Sequence, residues 1–146
     1  MIKEAYVSFE VAKLLKEKGF DEPTRMVWYE HLPKENACHP TEIYKPKLDL
    51  YYHDAQTERE MKFSNSMPVD EYIYGDVFAT PTHQMAMAWL REKQIDIVVF
   101  HERLPKDCYW ARIERYPYTE HQQEPIYQTY EEAVETALKY SLENLI

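Results

Sequence analysis

Only two glycines occur in the 146-residue chain, Gly19 and Gly75, and they lie far apart. Phosphate-cradling loops, dinucleotide fingerprints and nucleophile elbows need clustered glycines for close backbone approach, so none of these can be built. Cysteine is equally scarce, with Cys38 and Cys108 alone. A small disulfide-framed domain would carry more. No apolar run approaches the roughly 18 residues of a membrane span. The opening Met1-Ile2-Lys3-Glu4-Ala5-Tyr6 lacks the apolar core of a signal peptide. These absences predict a reduced, cytoplasmic protein with no membrane association. Positive charge is also short: 17 Lys and Arg stand against 26 Asp and Glu, a net charge of −9. Nucleic-acid binding relies on Lys and Arg displacing counterions, so a nucleic-acid partner is disfavoured. The acidic surface serves either solubility or a basic partner.

What is present is ordinary in bulk and unusual in one respect. Hydrophobic residues make up 45% and charged residues 29%, a globular composition. No repeat, low-complexity tract or composition break appears, which reads as a single globular domain over 1–146. The unusual feature is 13 tyrosines beside 3 tryptophans.

The patterning organises around residues 79–100. Thr80 suits an N-cap and Pro81 the first helical position, so a helix is predicted over about 81–93. Met85, Ala86, Trp89 and Leu90 share its apolar face. The period then switches to two, with Ile95, Ile97 and Val99 against Asp96, Val98 and Phe100. A returning strand is predicted over 109–116. Placing Ile95, Ile97 and Val99 on one face with Tyr109, Ala111 and Ile113 makes odd positions oppose odd ones. That requires a hairpin loop of odd length, about three or five residues.

Ser8 opens a first helix, and Gly19 ends it with Phe20 folding back on Leu15. Thr129 with Glu132 forms a capping box for the last helix. Tyr130, Ala133, Val134, Ala137, Leu138, Ser141 and Leu145 line its inner face, with Glu135 and Lys139 paired outside. Between these helices, strands are predicted over 25–31, 43–53, 57–63 and 69–78, the second and third as a hairpin. The segment 117–128 reads as loop, with a short strand at Ile126-Tyr127. The predicted fold class is α+β, an antiparallel β-sheet with three helices packed mainly on one face.

Three segments carry a resemblance: Tyr6 to Asp21, Ala79 to Glu92, and Tyr130 to Leu145. Their order resembles a family of short uncharacterised proteins of Bacteroides-type gut bacteria and their phages or mobile elements. The resemblance covers the three helices. It implies a bacterial, cytoplasmic protein, allows a phage or mobile-element origin, and brings no activity, cofactor or site residue with it. The segment 22–78 is less typical of that family.

Candidate chemistry is sparse. His31, His39, His53, His83, His101 and His121 are scattered, with no metal-ligand spacing. They read as surface histidines, with His83 a first-turn residue near the helix cap, and neither a metal nor a cofactor is expected. Cys108, beside the hairpin loop, reads as a buried or incidental thiol. Asp49 followed by Glu60-Met61-Lys62 matches the Asp…Glu-x-Lys pattern of restriction-type nucleases, where carboxylates hold Mg²⁺ and the lysine positions water. The aromatic excess gives the leading reading. Trp110 alternates with Arg112 and Glu114, opposite Ile113, and Tyr51, Tyr72, Tyr74, Tyr116 and Tyr118 are candidates to accompany it. These rings fill a core, form a contact surface, or stack on nucleic-acid bases. The function expected is a non-catalytic protein-binding or accessory module acting through Trp110, Arg112 and Tyr116. Its partner is an unknown protein or a second copy in a homodimer. The alternatives are a metal-dependent nuclease using Asp49, Glu60 and Lys62, or an acidic decoy for a DNA-binding protein.

Overall fold

A computed structural model describes residues 3–30, 46–54, 59–68, 75–120 and 126–146. Among them three helices and eight strands follow in the order α1 (Phe9–Glu17), β1 (Met26–Tyr29), β2 (Lys47–Leu50), β3 (Tyr52–Asp54), β4 (Arg59–Met61), β5 (Val77–Thr80), α2 (His83–Glu92), β6 (Ile95–Glu102), β7 (Cys108–Arg115), β8 (Tyr118–Glu120) and α3 (Tyr130–Asn144). The fold is α+β, and its antiparallel strands are shared among three sheets, of order β2-β1-β5, β3-β4 and β6-β7-β8. The chain divides into two compact units, residues 8–81 and residues 82–146 with 1–7.

In the first unit the Ser8 side chain accepts from the Val11 N–H, the N-cap that starts α1. The helix ends as the sequence predicts. Gly19 takes φ +89°, its N–H donates to Lys16 O, and the Phe20 N–H donates to Leu15 O. That is a Schellman cap, and Phe20 and Leu15 are both buried. An added Cβ at Gly19 meets no atom within 4 Å, so Gly19→Ala isolates backbone strain from any clash. It is expected to cost about 1 kcal/mol in urea melts, the left-handed penalty less the entropy alanine removes from the unfolded chain. An unchanged melt would remove the cap from the account.

β1 lies between its neighbours, with Val27 opposite Asp49 on one side and Ala79 on the other. Phe9 packs edge-on against Trp28 and Phe78, which joins α1 to this sheet. The extended run predicted over 43–53 is broken at Tyr51. Its N–H donates to Arg25 O, its carbonyl accepts from the Tyr29 hydroxyl, and its ring packs 4.9 Å from Phe63. Only β3, beyond the bend, pairs with β4. Phe63 exchanges backbone hydrogen bonds with Thr24. Asn65 donates to Phe20 O and accepts from the Ala79 N–H, tying this turn to the α1 cap and to β5. Beside it, Asp21 accepts from the Ser66 hydroxyl and N–H, which holds its carboxyl below the ordinary value. The strand expected around Tyr72, Ile73 and Tyr74 lies outside the described residues.

In the second unit the cap of α2 is one place beyond the pair the sequence offered. Thr82, not Thr80, accepts from the Met85 N–H. Thr80 is a strand residue, buried in β5, because that strand runs to its end fully covered. Within α2, Ala86, Met87, Trp89 and Leu90 are buried, while Met85 is exposed. With His83 as the first helical residue, the buried set falls at His83, Ala86, Met87 and Leu90, an i, i+3, i+4, i+7 stripe.

The hairpin has the predicted register. Ile97 faces Ile113, Val99 faces Ala111, and the loop between β6 and β7 is residues 103–107, of odd length. Ile95, Ile97, Ala111 and Ile113 are buried on the odd-numbered face. Tyr109 meets Tyr130 edge-on from that same face, which places the start of α3 over it. Thr129 caps α3 as predicted, accepting from the Glu132 N–H. The Glu132 carboxylate reaches the Gln128 N–H, one residue before the cap. Ala133, Val134, Ala137, Leu138, Ser141 and Leu142 form its buried side. Tyr127 bridges Tyr109, but β8, within a stretch that reads as loop, was not foreseen.

Candidate functional site

The even-numbered face of the β6–β7 hairpin is half-buried and carries an ordered constellation. Phe100 and Trp110 oppose each other directly, and their rings stack with centroids 4.3 Å apart and planes 14° apart. The Trp110 Nε1 donates to Glu102 Oε1 at 3.1 Å. The Arg112 guanidinium lies over the Phe100 ring, its central carbon 5.1 Å from the centroid. It is held there by Glu114, with Arg112 Nη2 2.7 Å from Glu114 Oε1. The Arg112 Nε is buried without a hydrogen-bond partner. Alternation alone creates this face: burying Ile97, Ala111 and Ile113 turns Phe100, Trp110 and Arg112 the other way. The stack stabilises the hairpin as a cross-strand pair, and it presents a rigid aromatic slab with a guanidinium fixed upon it.

Trp110 and Arg112 therefore come together as the sequence reading places them. Phe100 completes them and was missed, although a five-residue loop with odd opposing odd puts position 100 across from 110. Tyr116 does not join the stack. It sits exposed in the β7–β8 turn, its N–H donating to Gln94 O. There it lines a cleft of about 420 Å³ with Arg91, Gln94, Asp96, Glu114, Arg115 and Pro117. Glu114 belongs both to the cleft and to the Arg112 ion pair, so the two features adjoin. Of the other rings expected near Trp110, Tyr51 packs on Phe63, Tyr118 stands opposite Arg115 in β8, and Tyr72 and Tyr74 lie outside the described residues.

Asp49 and Glu60 of the Asp…Glu-x-Lys pattern stand in different sheets. Asp49 is exposed in β2 opposite Val27, paired with Lys47 Nζ at 3.3 Å and accepting from the Leu50 N–H. Glu60 is in β4 opposite His53. The two are not hairpin partners, because the bend at Tyr51 assigns them to different sheets. Lys62 follows β4 and is exposed. Among the described residues no group of three or more His, Cys, Asp or Glu is placed to hold a metal. His31, Cys38, His39 and His121 lie outside them.

His83 takes the expected first-turn position next to the cap, but it is buried and not a surface group. Its Nε2 lies 3.0 Å from Glu135 Oε1 on α3, and its Nδ1 is without a partner. Burial of an imidazole is tolerable when one nitrogen finds a carboxylate, and Glu135 turns inward to supply it. Only the packing of α2 on α3 creates that meeting. His101 stays exposed, stacked on Tyr109 and 3.2 Å from Asp107. Cys108 is a half-buried free thiol at the start of β7, opposite Glu102.

No protein-family model matches the sequence, and comparison with curated proteins and with solved structures gives no match. Among the described residues no helix is long and apolar enough to cross a membrane.

Proposed function

We propose that this is a non-catalytic binding module that works in the cytoplasm through protein contact, with Trp110 and Arg112 at the centre of the contact and Tyr116 at its edge. The observation that carries the reading is the Phe100–Trp110 stack with Arg112 laid over it, outside the hydrophobic core of its own sheet. Trp, Tyr and Arg dominate binding energies at interfaces because they bury large areas, Trp and Tyr with few rotamers to lose and Arg with a planar fork of donors. Here Glu102 and Glu114 lock those rotamers before any partner arrives, which lowers the entropic cost of binding. The partner is another protein or a second copy of this chain. A bacterial phage or mobile element as its origin, allowed by the resemblance of the helices, belongs to the same proposal.

The test is Trp110→Ala with Arg112→Ala beside it. Each is expected to weaken the contact by about 2 kcal/mol, roughly 30-fold. Sedimentation of the purified protein reads self-association, and binding to an immobilised partner reads a hetero-contact. Circular dichroism checks that each variant keeps its fold. Folded variants with unchanged mass and unchanged partner affinity would overturn the proposal.

A further inference from the structure

The cleft beside Tyr116 has a charge arrangement that the protein-contact reading leaves unused. Its lining is Arg91, Gln94, Asp96, Glu114, Arg115, Tyr116 and Pro117. Glu114 is already neutralised by Arg112 at 2.7 Å. Arg91, Arg115 and Asp96 make no ion pair among the described residues, and all three are exposed. In a chain of net charge −9, the cleft thus holds two uncommitted guanidinium groups and one uncommitted carboxylate. A volume of about 420 Å³ falls in the range of small-molecule sites.

The backbone at the rim supplies an independent observation. Gln94 follows α2 with φ 64°, the left-handed position where a helix end ordinarily takes glycine. Gln94 is also the sole non-glycine residue with positive φ among the described residues. Its N–H donates to Arg91 O, and its carbonyl accepts from the Tyr116 N–H. Both bonds are made by backbone atoms, so glycine would serve the turn equally well without the Cβ penalty. The chain instead keeps an amide side chain there, on a residue that lines the cleft. Strain retained at a rim residue is what a binding position shows when its side chain is needed.

We propose that this cleft binds a small zwitterion of the α-amino-acid class. Its carboxylate is taken by Arg91 and Arg115, whose planar forks match a carboxylate. Its ammonium is taken by Asp96. Gln94 donates or accepts at the rim, and the Tyr116 ring and Pro117 form the apolar wall. One free carboxylate in the lining disfavours a second negative charge on the ligand, which selects a carboxylate over a phosphate dianion. The inference shares Tyr116 with the protein-contact proposal, but its charged groups, Arg91, Asp96 and Arg115, lie outside the aromatic stack.

The experiment uses the natural L-amino acids as probes, each beside its N-acetyl and its carboxamide derivative, with amide NMR reporting on Gln94, Asp96, Arg115 and Tyr116. At least one amino acid is expected to move these signals in a saturable way. Removing the ammonium by acetylation, or the carboxylate by amidation, should each raise Kd about tenfold or more, the loss of one charge-assisted contact. Arg91→Gln and Arg115→Gln should do the same with the remaining spectrum unchanged. Gln94→Gly keeps the test independent of folding: its melting temperature should hold or rise while its affinity falls. No saturable shift with any amino acid overturns the proposal. So does equal binding of the acetylated or amidated forms, or affinity within about twofold of wild type in both arginine variants.

Discussion

Trp89→Ala is expected to cost about 3–5 kcal/mol, among the largest effects of any single truncation in this chain. Trp89 is 8% exposed on α2, next to Leu90 and Ala86, which are fully buried. Removing the indole takes a large buried apolar area out of the unit whose core includes Ile95, Ile97 and Ile113. It also removes the ring beneath the Lys93 ammonium, whose Nζ lies 4.3 Å from the Trp89 centroid. Urea melts followed by circular dichroism measure the loss. A cost below about 1 kcal/mol would mean that the site collapses on the cavity or that the ring is solvated, against the burial observed.

Phe63→Ala is expected to cost a similar amount, about 3–5 kcal/mol, in the other compact unit. Phe63 is fully buried, lies against the Tyr51 ring, and is the point where the segment after β4 is bonded to Thr24 in both directions. Phe63→Leu serves as the control: it keeps most of the volume and loses the ring contact, so it should cost clearly less. The pair of truncations also measures cooperativity. If residues 1–146 unfold as one domain, either substitution shifts a single transition seen by every probe. A melt that splits, with Trp89→Ala moving one step and Phe63→Ala the other, would assign each compact unit its own stability.

What the sequence determined by itself is whatever depends on near neighbours. The Ser8 and Thr129 caps and the Gly19 Schellman end are set within one helical turn, and each forms where the residues predict. The parity of the β6–β7 hairpin is set by strand alternation, and it holds along the whole pair. From parity follows the outward direction of Trp110 and Arg112. The α+β class follows from the same two periods.

The tertiary structure decided what depends on which surfaces meet. Thr80 and Thr82 are both plausible caps, and the choice fell to Thr82 because Thr80 is covered in β5. Met87 rather than Met85 is buried because packing, and not the apolar pattern, decides which arc of α2 faces the core. His83 and Glu135 are 52 positions apart and meet only through helix packing. Asp49 and Glu60 are close in sequence and sit in different sheets, since a bend at Tyr51 overrides a continuous apolar alternation. The cleft of Arg91, Asp96 and Arg115 draws on both: the hairpin register sets Arg115 opposite Ile95, beside Asp96, and the end of α2 adds Arg91.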